Sequence, residues 1–576
     1  MRKATVCFVF IFCFLFSEKL LALPPQKILH PGDWAYDALV ILSRELGKVF
    51  FADSTITVAQ MGNYLDEIDV DSLSTSALLI YGRLLSYLNS SPPLAFKSDA
   101  ITGWLDLTLQ PELYFKSNES NAWIYNDHER KHLLELPLGF SLGPWITAEM
   151  DLYFGQNEYA SSLHDNYINF PLDPVSQTDI HFPKRAYMSA GLPVGQASGV
   201  NFAMGIGDNF FGKTQTGSII LSEYLERTVY AQLSIYSPAI KYTTQVLQYE
   251  VNKYQYMHYL QARLFKKFSI SLAEGVMVNA PLELRFINPF TIFHSYESYK
   301  TYTNYNKDLG QQPNDAKVDE LWDKNPDGSD KYDRTFDPNN HSRIGSYFGV
   351  KVEFLPVQNI RLYGLFVMDQ FNLPMKKDNW METLYPDAAG FQAGLEFSFP
   401  SPKGYWEFGL EGVYTYPYLY VMWDKGWSFY KEVPELDNYT LRYWTGSPFG
   451  PDTIAGTFWT GFRSNEKWYA GFSFVFSARG ERSEFSIFDR DSSIDDTYRP
   501  NHLVYDVTVS PTGIPVFTYT AGLHLEYQFR QWLTIALMPG YRVALNAAHE
   551  EGRTKAGIEF ALSLSYRPLI HYLAKD

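Results

Sequence analysis

Two histidines with a glutamate between them are the first candidates for chemistry in this sequence. His128-Glu129-Arg130-Lys131-His132 matches the HExxH pattern, in which two histidines one helical turn apart hold zinc and the glutamate activates water. That chemistry requires a helix, whereas these residues lie where one predicted strand ends and the next begins. No third ligand follows them. The pattern therefore indicates a solvated hairpin loop.

An acidic segment further along the chain resembles the first half of a calcium-binding loop. Asp323, Asn325 and Asp327 supply oxygen atoms at alternate positions before the turn-forming Gly328, but position 12, where a bidentate glutamate belongs, is Arg334. We interpret the segment as a surface turn. Binding of Ca²⁺ by the three oxygen-bearing residues is the alternative. No other cofactor is expected. The sequence has no Gly-x-Ser-x-Gly elbow, and we predict that the protein is not an enzyme.

Aromatic residues concentrate in two predicted loops. Aromatic faces stack on the apolar faces of sugar rings while neighbouring Asp and Asn side chains bind the hydroxyls. The alternative for each residue is a place in the aromatic girdle of a membrane barrel or in loop packing. The candidate sugar-binding residues are Tyr296, Tyr299, Trp322, Trp423, Trp427 and Tyr430.

The composition of the chain limits the kinds of fold that could position these aromatic residues. Aromatic residues make up 17% of 576 residues, only 19% are charged, and the mean hydropathy is slightly polar at -0.22. Such a chain carries much apolar surface without long apolar runs. The net charge of -16 argues against nucleic acid as a partner, because binding phosphates requires a basic surface.

Residues 1–22 are predicted to be a cleavable secretory signal. Arg2 and Lys3 precede an apolar stretch over residues 4–16, and Ala22 offers a small residue at a cleavage point. An uncleaved anchor is the alternative, but the stretch is shorter than the roughly 20 residues that a membrane-spanning helix needs. Both cysteines, Cys7 and Cys13, lie inside this segment. The mature chain therefore has no disulfide.

Residues 23–98 are predicted to form a small helical domain. Asp33 and Gly47 bound a first helix, Thr57 and Gln60 form a capping box that opens a second, and a third follows Ser74. The apolar face of the third helix comprises Leu78, Tyr81, Leu85 and Leu88. Three helices of this size are marginal alone. We expect them to lean on something larger.

From residue 99 to 576 the sequence has the two-residue period of strands. In residues 516–529, apolar side chains alternate with polar ones over a length that matches the ~9 to 11 residues of a tilted membrane-spanning strand. The same alternation recurs over residues 468–476 and 556–567. A soluble β-sandwich is the alternative, but its strands are normally about five or six residues long.

The connections between strands predict the architecture. Eight very short turns alternate with nine longer connections, which include one near 249–253 and one over 278–342. The pattern predicts 18 antiparallel strands, with both chain ends on the short-turn side, as in bacterial outer-membrane barrels. The fold class is therefore an all-β transmembrane barrel with a small N-terminal α-helical domain. The connection 278–342 is the candidate to close its lumen.

Several segments resemble the capsule-assembly Wzi family. They are residues 32–39, the helix over residues 56–65, residues 283–290 and residues 344–350. The resemblance implies an 18-stranded outer-membrane barrel with a periplasmic helical module that retains capsular polysaccharide or exopolysaccharide at the cell surface. Trp34-Ala35-Tyr36 also looks like part of a surface-layer-homology module, which would make a peptidoglycan tether. A plug or cap of the barrel is the favoured reading.

These observations lead to one main prediction of function and two alternatives. We expect an outer-membrane barrel of a diderm bacterium, with its N-terminal domain in the periplasm, that binds or retains surface polysaccharide. Its other expected partners are outer-membrane lipid and the barrel-assembly machinery. The alternatives are a porin-like channel or transporter for small hydrophilic or amphipathic solutes, and a peptidoglycan-linked tether.

Overall fold

A computed structural model describes residues 23–90, 92–98, 100–118, 131–156, 167–169, 178–181, 185–195, 197–225, 227–293, 344–370, 387–422, 426, 428–434, 440–465, 467–482 and 509–573.

The N-terminal part of the chain folds as three short helices. The helices of the N-terminal module, residues 23–90, are α1 (Trp34–Leu46), α2 (Val58–Asp66) and α3 (Thr75–Leu88). Another short helix, α4 (Pro568–Leu573), follows the last strand. Among the described helices, none is long and apolar enough to cross a membrane.

The predicted helix boundaries are confirmed at both ends of α1 and at the start of α2. Gly47 follows α1 with a left-handed φ of 60°, a conformation that glycine adopts without steric cost. Thr57 and Gln60 form both hydrogen bonds of the capping box, each 3.2 Å long. Asp33 precedes α1, but its carboxylate accepts from the backbone N–H of His30 and caps no helical N–H.

Helix α3 buries a different face from the apolar one predicted. Its buried residues are Ser76, Ala77, Ile80 and Leu84, whereas Leu78 and Leu85 are exposed. The physical reason is the contact with the barrel, where the Ser76 hydroxyl donates to the carbonyl oxygen of Ser401 at 2.5 Å. Small residues at this face allow the helix to approach the strand ends.

The rest of the chain is built from strands that are numbered in chain order. They are β1 (Ile28–Leu29), β2 (Ile56–Thr57), β3 (Leu94–Lys97), β4 (Ile101–Leu105), β5 (Thr108–Leu109), β6 (Glu112–Lys116), β7 (Leu134–Leu142), β8 (Ile146–Gln156), β9 (Tyr167–Ile168), β10 (Thr178–His181), β11 (Ala186–Val194), β12 (Ser198–Gly207), β13 (Thr228–Tyr236), β14 (Ile240–Glu250), β15 (Lys253–Leu264), β16 (Phe268–Asn279), β17 (Ile344–Phe354), β18 (Ile360–Gln370), β19 (Ala388–Ser401), β20 (Gly404–Thr415), β21 (Tyr430–Pro434), β22 (Thr440–Trp444), β23 (Thr453–Ser464), β24 (Trp468–Arg479), β25 (Val516–Arg530), β26 (Leu533–Leu545) and β27 (Thr554–Tyr566).

The large sheet closes on itself as an antiparallel barrel of 18 strands, as predicted. Its strand positions, among the residues described, are β4 to β6 taken together, β7, β8, β11 to β20 and β23 to β27. The first position is shared: β4 and β5 pair with β7, while β6 pairs with β27, with Glu112 opposite Ser563 and Lys116 opposite Glu559. Closure removes the free sheet edges that lipid cannot satisfy.

The connections alternate in length along most of the wall. The connection near 249–253, expected to be one of the longer ones, is a turn of two residues, because Glu250 pairs directly with Lys253. Short strands β21 and β22 form a hairpin within the connection between β20 and β23. We call the two ends of the barrel the short-turn end and the long-loop end.

Candidate functional site

The lumen of the barrel is where the N-terminal module and the connections after β12 and β20 meet the strands. Side chains on successive strand positions alternate between the two faces of the wall. On β15, Tyr259 points into the lumen, where its ring lies 4.5 Å from that of Phe211, and Gln261 lies within hydrogen-bonding distance of Ser54. On β25, exposed apolar side chains such as Leu523 and Tyr527 mark the outer face. The inward positions therefore define the candidate site.

The connection between β12 and β13 folds down into the lumen. Phe210 packs on the N-terminal module and Phe211 on the lumen strands, so the loop joins two hydrophobic clusters. Gly212, next along the chain, has a left-handed φ of 83° and donates its N–H to the carbonyl oxygen of Asp53 at 2.8 Å. A side chain there would be strained whatever the space around it. Glycine thus lets the loop reverse at the contact with the module.

A carboxylate on the wall anchors this loop. Glu411 of β20 accepts hydrogen bonds from the backbone N–H groups of Gln215 and Thr216, each 3.0 Å long, and from the hydroxyl of Tyr363 at 2.5 Å. A buried carboxylate needs such partners, because burying it without them is costly. Residues 208–225 are therefore fixed to the strands and form the first part of the lumen plug.

The connection between β20 and β23 forms the second part of the lumen plug, over the described residues of 416–452. The ring of Phe429 meets that of Tyr347 edge-on at 4.8 Å, and the ammonium of Lys253 lies 3.6 Å from the centre of the Tyr430 ring. The Tyr420 hydroxyl donates to the carbonyl oxygen of Ile219, which joins the two parts of the plug. The long-loop end of this side of the lumen is therefore filled by protein.

A continuous chain of buried charges joins the N-terminal module to the wall at the short-turn end. Asp53 pairs with Lys351, whose ammonium also lies 3.4 Å from Glu353. The chain continues through Arg361, which lies 3.0 Å from Glu353 and 3.1 Å from Glu396. Arg44 of α1 completes it, 3.4 Å from Glu396 and 2.8 Å from Glu407. Removing a single member would leave its neighbours buried without a counter-charge.

The cavity beside this charge chain is too small for a ligand. It lies between α1 and the wall, lined by Ser43, Asp53, Lys213 and Arg361 among others, and its volume is about 20 Å³. A volume of that size holds one water molecule. This contact between α1 and the wall is therefore structural and has no room for a sugar.

A second contact between module and wall contains a buried histidine. Asp33 and Arg185 form an ion pair of 3.1 Å beside it. Burial alone would raise the pKa of Asp33, but the Arg185 guanidinium outweighs it and holds this pKa below its usual value. Burial, reinforced by the Arg185 charge, lowers the pKa of His30 to about 4. Neither His30 ring nitrogen has a hydrogen-bond partner among the residues described.

The inward side chains on the opposite side of the lumen are more accessible to water. On β25, the side chains of His524 and Glu526 point inward and are 41% and 45% exposed. Arg463 of β23 is 40% exposed and lies over the ring of Tyr469 on β24. Neighbouring inward positions are small or polar, among them Ser473, Thr520 and Gly522. Water therefore reaches the inner wall along β24 to β26.

Of the predicted sugar-binding residues, Tyr430 is the one that lies within the described part of the chain. It belongs to β21, is 3% exposed, and packs edge-on against Trp444 with ring centres 6.0 Å apart. A sugar could stack on it only after the plug moved. The predicted sites that fall outside the described residues are Tyr296, Tyr299, Trp322, Trp423 and Trp427, together with Asp323, Asn325 and Asp327 of the calcium segment.

The candidate zinc pattern also falls largely outside the described residues. His132 is described: it is buried, and its ring lies 4.3 Å from that of Tyr153. Within the described ranges, no group of three or more His, Cys, Asp or Glu side chains is placed to hold a metal ion.

The inward-facing tyrosines that hold the lumen plug were not among the predicted site residues. Tyr259, Tyr347 and Tyr363 are buried in the lumen cluster. Tyr259 packs on Phe211, Tyr347 packs on Phe429, and Tyr363 donates to Glu411, which anchors the loop after β12. A signal was present, because residues 254–259 carry tyrosines on both faces of one strand. Aromatic residues on both faces indicate that the inner face is also packed.

Comparison with known proteins supports the fold. No family model and no curated protein sequence matches this chain. The structure is similar to that of Wzi of Escherichia coli, described as an outer membrane protein involved in group 1 capsule assembly and a carbohydrate-binding β-barrel. The TM-score is 0.55 and the identity 10%, over 93% of this chain and 98% of Wzi.

Two other outer-membrane structures align less well. The outer membrane channel DcaP of Acinetobacter baumannii has a TM-score of 0.33 at 9% identity, over 82% of this chain and 99% of DcaP. OprD from Pseudomonas aeruginosa has a TM-score of 0.35 at 10% identity, over 81% of this chain and 93% of OprD. At these scores the likeness supports no argument about function. This chain therefore has a Wzi-like fold, a closed 18-stranded barrel of the outer-membrane type with a small N-terminal helical module.

Proposed function

We propose that the protein is exported through a cleaved signal over residues 1–22 and lies in the outer membrane of a diderm bacterium. The outward apolar faces of the strands and the closed sheet support this placement. The N-terminal module would then occupy the periplasmic end, because it contacts the barrel at the short turns, for example through the bond from the backbone N–H of Val49 to the carbonyl oxygen of Lys266. The module would act there as a fixed plug of the periplasmic end, separate from the lumen plug.

We propose that the function is to bind or retain surface polysaccharide. The observation that carries this proposal is the Wzi-like fold over 93% of the chain, since Wzi is described as carbohydrate-binding. The filled side of the lumen supports it further, because the inward side chains described along β11 to β20 are almost all buried under the module and the plug loops. A barrel blocked on this side is better suited to holding a polymer at the surface than to passing large solutes.

The proposed contact residues are the aromatic side chains of the long-loop end, Tyr296, Tyr299, Trp322, Trp423 and Trp427. An aromatic pair contributes about 0.5–1.5 kcal/mol, and we expect a similar contribution from each ring stacked on a sugar. Tyr430 would contribute indirectly, by stabilising the lumen plug. The acidic turn around Asp327 would present oxygen ligands for Ca²⁺, which could bridge to an anionic glycan.

Binding can be tested with the full-length protein in proteoliposomes. The probe is capsular polysaccharide or exopolysaccharide purified from the producing bacterium, and retention is measured by co-sedimentation. Combined substitution of Trp322, Trp423 and Trp427 by alanine is expected to weaken retention at least about tenfold, from the stacking energies involved. The matched control is Phe474→Ala on the outer face of β24. Equal retention by both variants would overturn the assignment of these residues, and no retention by the parent protein would overturn the function.

A narrow aqueous passage is the second candidate function. The half-exposed His524 and Glu526 on the inner wall favour it, since a lumen of 18 strands has room for water beside a plug. Planar bilayer recordings separate the two candidates. Steady conductance steps from the parent protein support the passage, and a silent barrel that retains polysaccharide rules it out.

A further inference from the structure

The segment that directly follows β16 folds back over the outside of the barrel. The face it covers follows from alternation on β15, where Tyr259 points into the lumen and Tyr256 and His258 therefore point outward. Residues 282–293 pack on these outward side chains. We call this segment the outer flap.

Two phenylalanines anchor the outer flap to the wall. The ring of Phe286 lies 5.0 Å from that of Tyr256, and the ring of Phe293 lies 4.1 Å from that of His258. Both phenylalanines are almost fully buried, in a small cluster with Val276 and Val278. The backbone N–H of Glu283 adds a hydrogen bond of 3.0 Å to the Tyr256 hydroxyl. The outer flap is thus a packed part of the wall.

The wall beneath the outer flap is polar where lipid contact would be expected. Tyr242, Thr244, His258 and Glu274 all occupy outward positions on β14 to β16, and the Tyr242 hydroxyl lies 2.6 Å from His258 Nδ1. Glu274 is five residues from the long-loop end of β16, which corresponds to a depth of roughly 13 Å for a tilted strand. Polar groups facing hydrocarbon at that depth are costly. The flap covers two of them: the ring of His258 packs on Phe293, and the Tyr242 hydroxyl donates to the carbonyl oxygen of Pro289.

The opposite surface of the outer flap exposes large apolar side chains. Leu284 is 79% exposed, Phe290 89% and Ile292 65%. In water, such a contiguous apolar patch would be unusual for a folded protein. The patch continues the bare apolar wall below it, which includes the exposed Leu260 and Leu272. The flap and the wall therefore present one apolar surface.

The backbone of the outer flap satisfies several of its donors internally. The N–H groups of Phe286 and Ile287 bond to the carbonyl oxygens of Glu283 and Leu284, at 3.3 and 3.1 Å. The N–H groups of Thr291 and Phe290 bond to Asn288, to its carbonyl oxygen at 3.2 Å and its side-chain Oδ1 at 3.1 Å. Internal partners are what irregular backbone needs where water is absent.

We propose that the outer flap is embedded among the acyl chains of the membrane lipid on the long-loop side, where it shields the polar wall positions of β14 to β16. The occupant of its apolar surface is lipid, because that surface is continuous with the lipid-facing wall. This inference rests on the outer-membrane placement proposed above. It adds a non-strand element to the lipid contact of the barrel.

The test uses the absence of cysteine from the predicted mature chain, whose two cysteines lie in the signal. Single variants Phe290→Cys, Leu272→Cys and Val251→Cys are labelled with bimane and reconstituted in liposomes, after gel mobility without heating has confirmed folded barrels. Leu272 on the outer wall is the lipid control, and the 84% exposed Val251 in the turn between β14 and β15 is the water control. Quenching is measured with brominated lipid and with aqueous iodide.

Quenching of the Phe290→Cys label by brominated lipid is expected to equal that of the Leu272→Cys label and to exceed that of the Val251→Cys label several-fold. Iodide should give the reverse order. Iodide quenching of the Phe290→Cys label equal to that of Val251→Cys would overturn the inference while the Leu272→Cys label still reports lipid. Protection from both quenchers, with thiol cross-linking between copies, would overturn it in favour of a second copy of this chain. Water exposure of the Leu272→Cys label would instead reject the membrane placement itself.

Discussion

The two sides of the lumen have the same strand architecture but opposite environments. Along β11 to β20 the inward side chains are almost all buried, under the N-terminal module at one end and the lumen plug at the other. Along β24 to β26 they are half-exposed, as His524 and Glu526 show. The filled side uses tyrosines and ion pairs, whereas the wet side uses small and polar residues. The residue types on the inner face of a barrel strand therefore depend on whether that face contacts protein or water.

The first and largest expected effect tests the charge chain on the filled side. Lys351→Met leaves Asp53 buried without its counter-charge and leaves Glu353 paired with Arg361 alone, which we expect to weaken docking of the module by about 3–5 kcal/mol. The measurement is protease protection of residues 23–90 in the folded barrel. The double variant Lys351→Met with Asp53→Asn should recover part of the protection. Unchanged protection in the single variant would show that the charge chain does not hold the module.

The second effect is a pH dependence of the same docking. His30 is held neutral in the docked state, with a pKa of about 4 against an ordinary value of 6.5. Between these values the undocked module binds a proton that the docked one excludes, so docking weakens as the pH falls from 6.5 towards 4. The total loss is about 3 kcal/mol, and raising the pH above 6.5 changes nothing through this residue.

The measurement is again protease protection of the module, at pH 7 and at pH 5. The control His30→Phe keeps a ring at the site and removes the titrating group. Its protection should be independent of pH over this interval. An equal loss of protection in the parent and in His30→Phe would assign the pH dependence to other groups.

The third effect tests the plug at the long-loop end. Tyr430→Leu removes the contact between its ring and the Lys253 ammonium, 3.6 Å away, which contributes about 2 kcal/mol when desolvated. We expect a looser plug and larger or noisier conductance in planar bilayers. Trp406→Leu, on the outer face of β20, is the matched aromatic control. The same conductance in both variants would mean that β21 does not limit access to the lumen.

The smallest expected effect belongs to the wet side. Glu526→Gln should change stability by less than about 0.5 kcal/mol, since its side chain is half-exposed. If water forms a passage along β24 to β26, the variant lowers the preference for cations, which is measured as a shift in reversal potential under a salt gradient. An unchanged potential in a conducting barrel would place the ion path elsewhere.

Sequence analysis was most accurate where local patterns decide structure. The strands β24 and β25 include the segments predicted from alternation, β27 covers its predicted segment except for residue 567, and the capping box of Thr57 and Gln60 forms as predicted. These patterns depend on residues near one another in the chain, so no knowledge of distant contacts is needed. The placement of the long loops is different. The described start of the connection 278–342 lies outside the barrel, while the connections after β12 and β20 fill part of the lumen.

The difference between a loop outside the barrel and loops inside the lumen explains why the chain contains so many aromatic residues. Two sequence patterns determined the 18-stranded barrel: apolar and polar residues alternate because each strand turns one face to lipid and the other inward, and the alternation of short and long connections sets the number of strands. Only the tertiary structure decided which inward faces meet protein and which meet water, since that depends on loops and helices distant in sequence. Tyr347 and Phe429 have the residue types of a lipid-facing girdle. Their ring contact inside the lumen follows from the path of the chain and not from any local pattern.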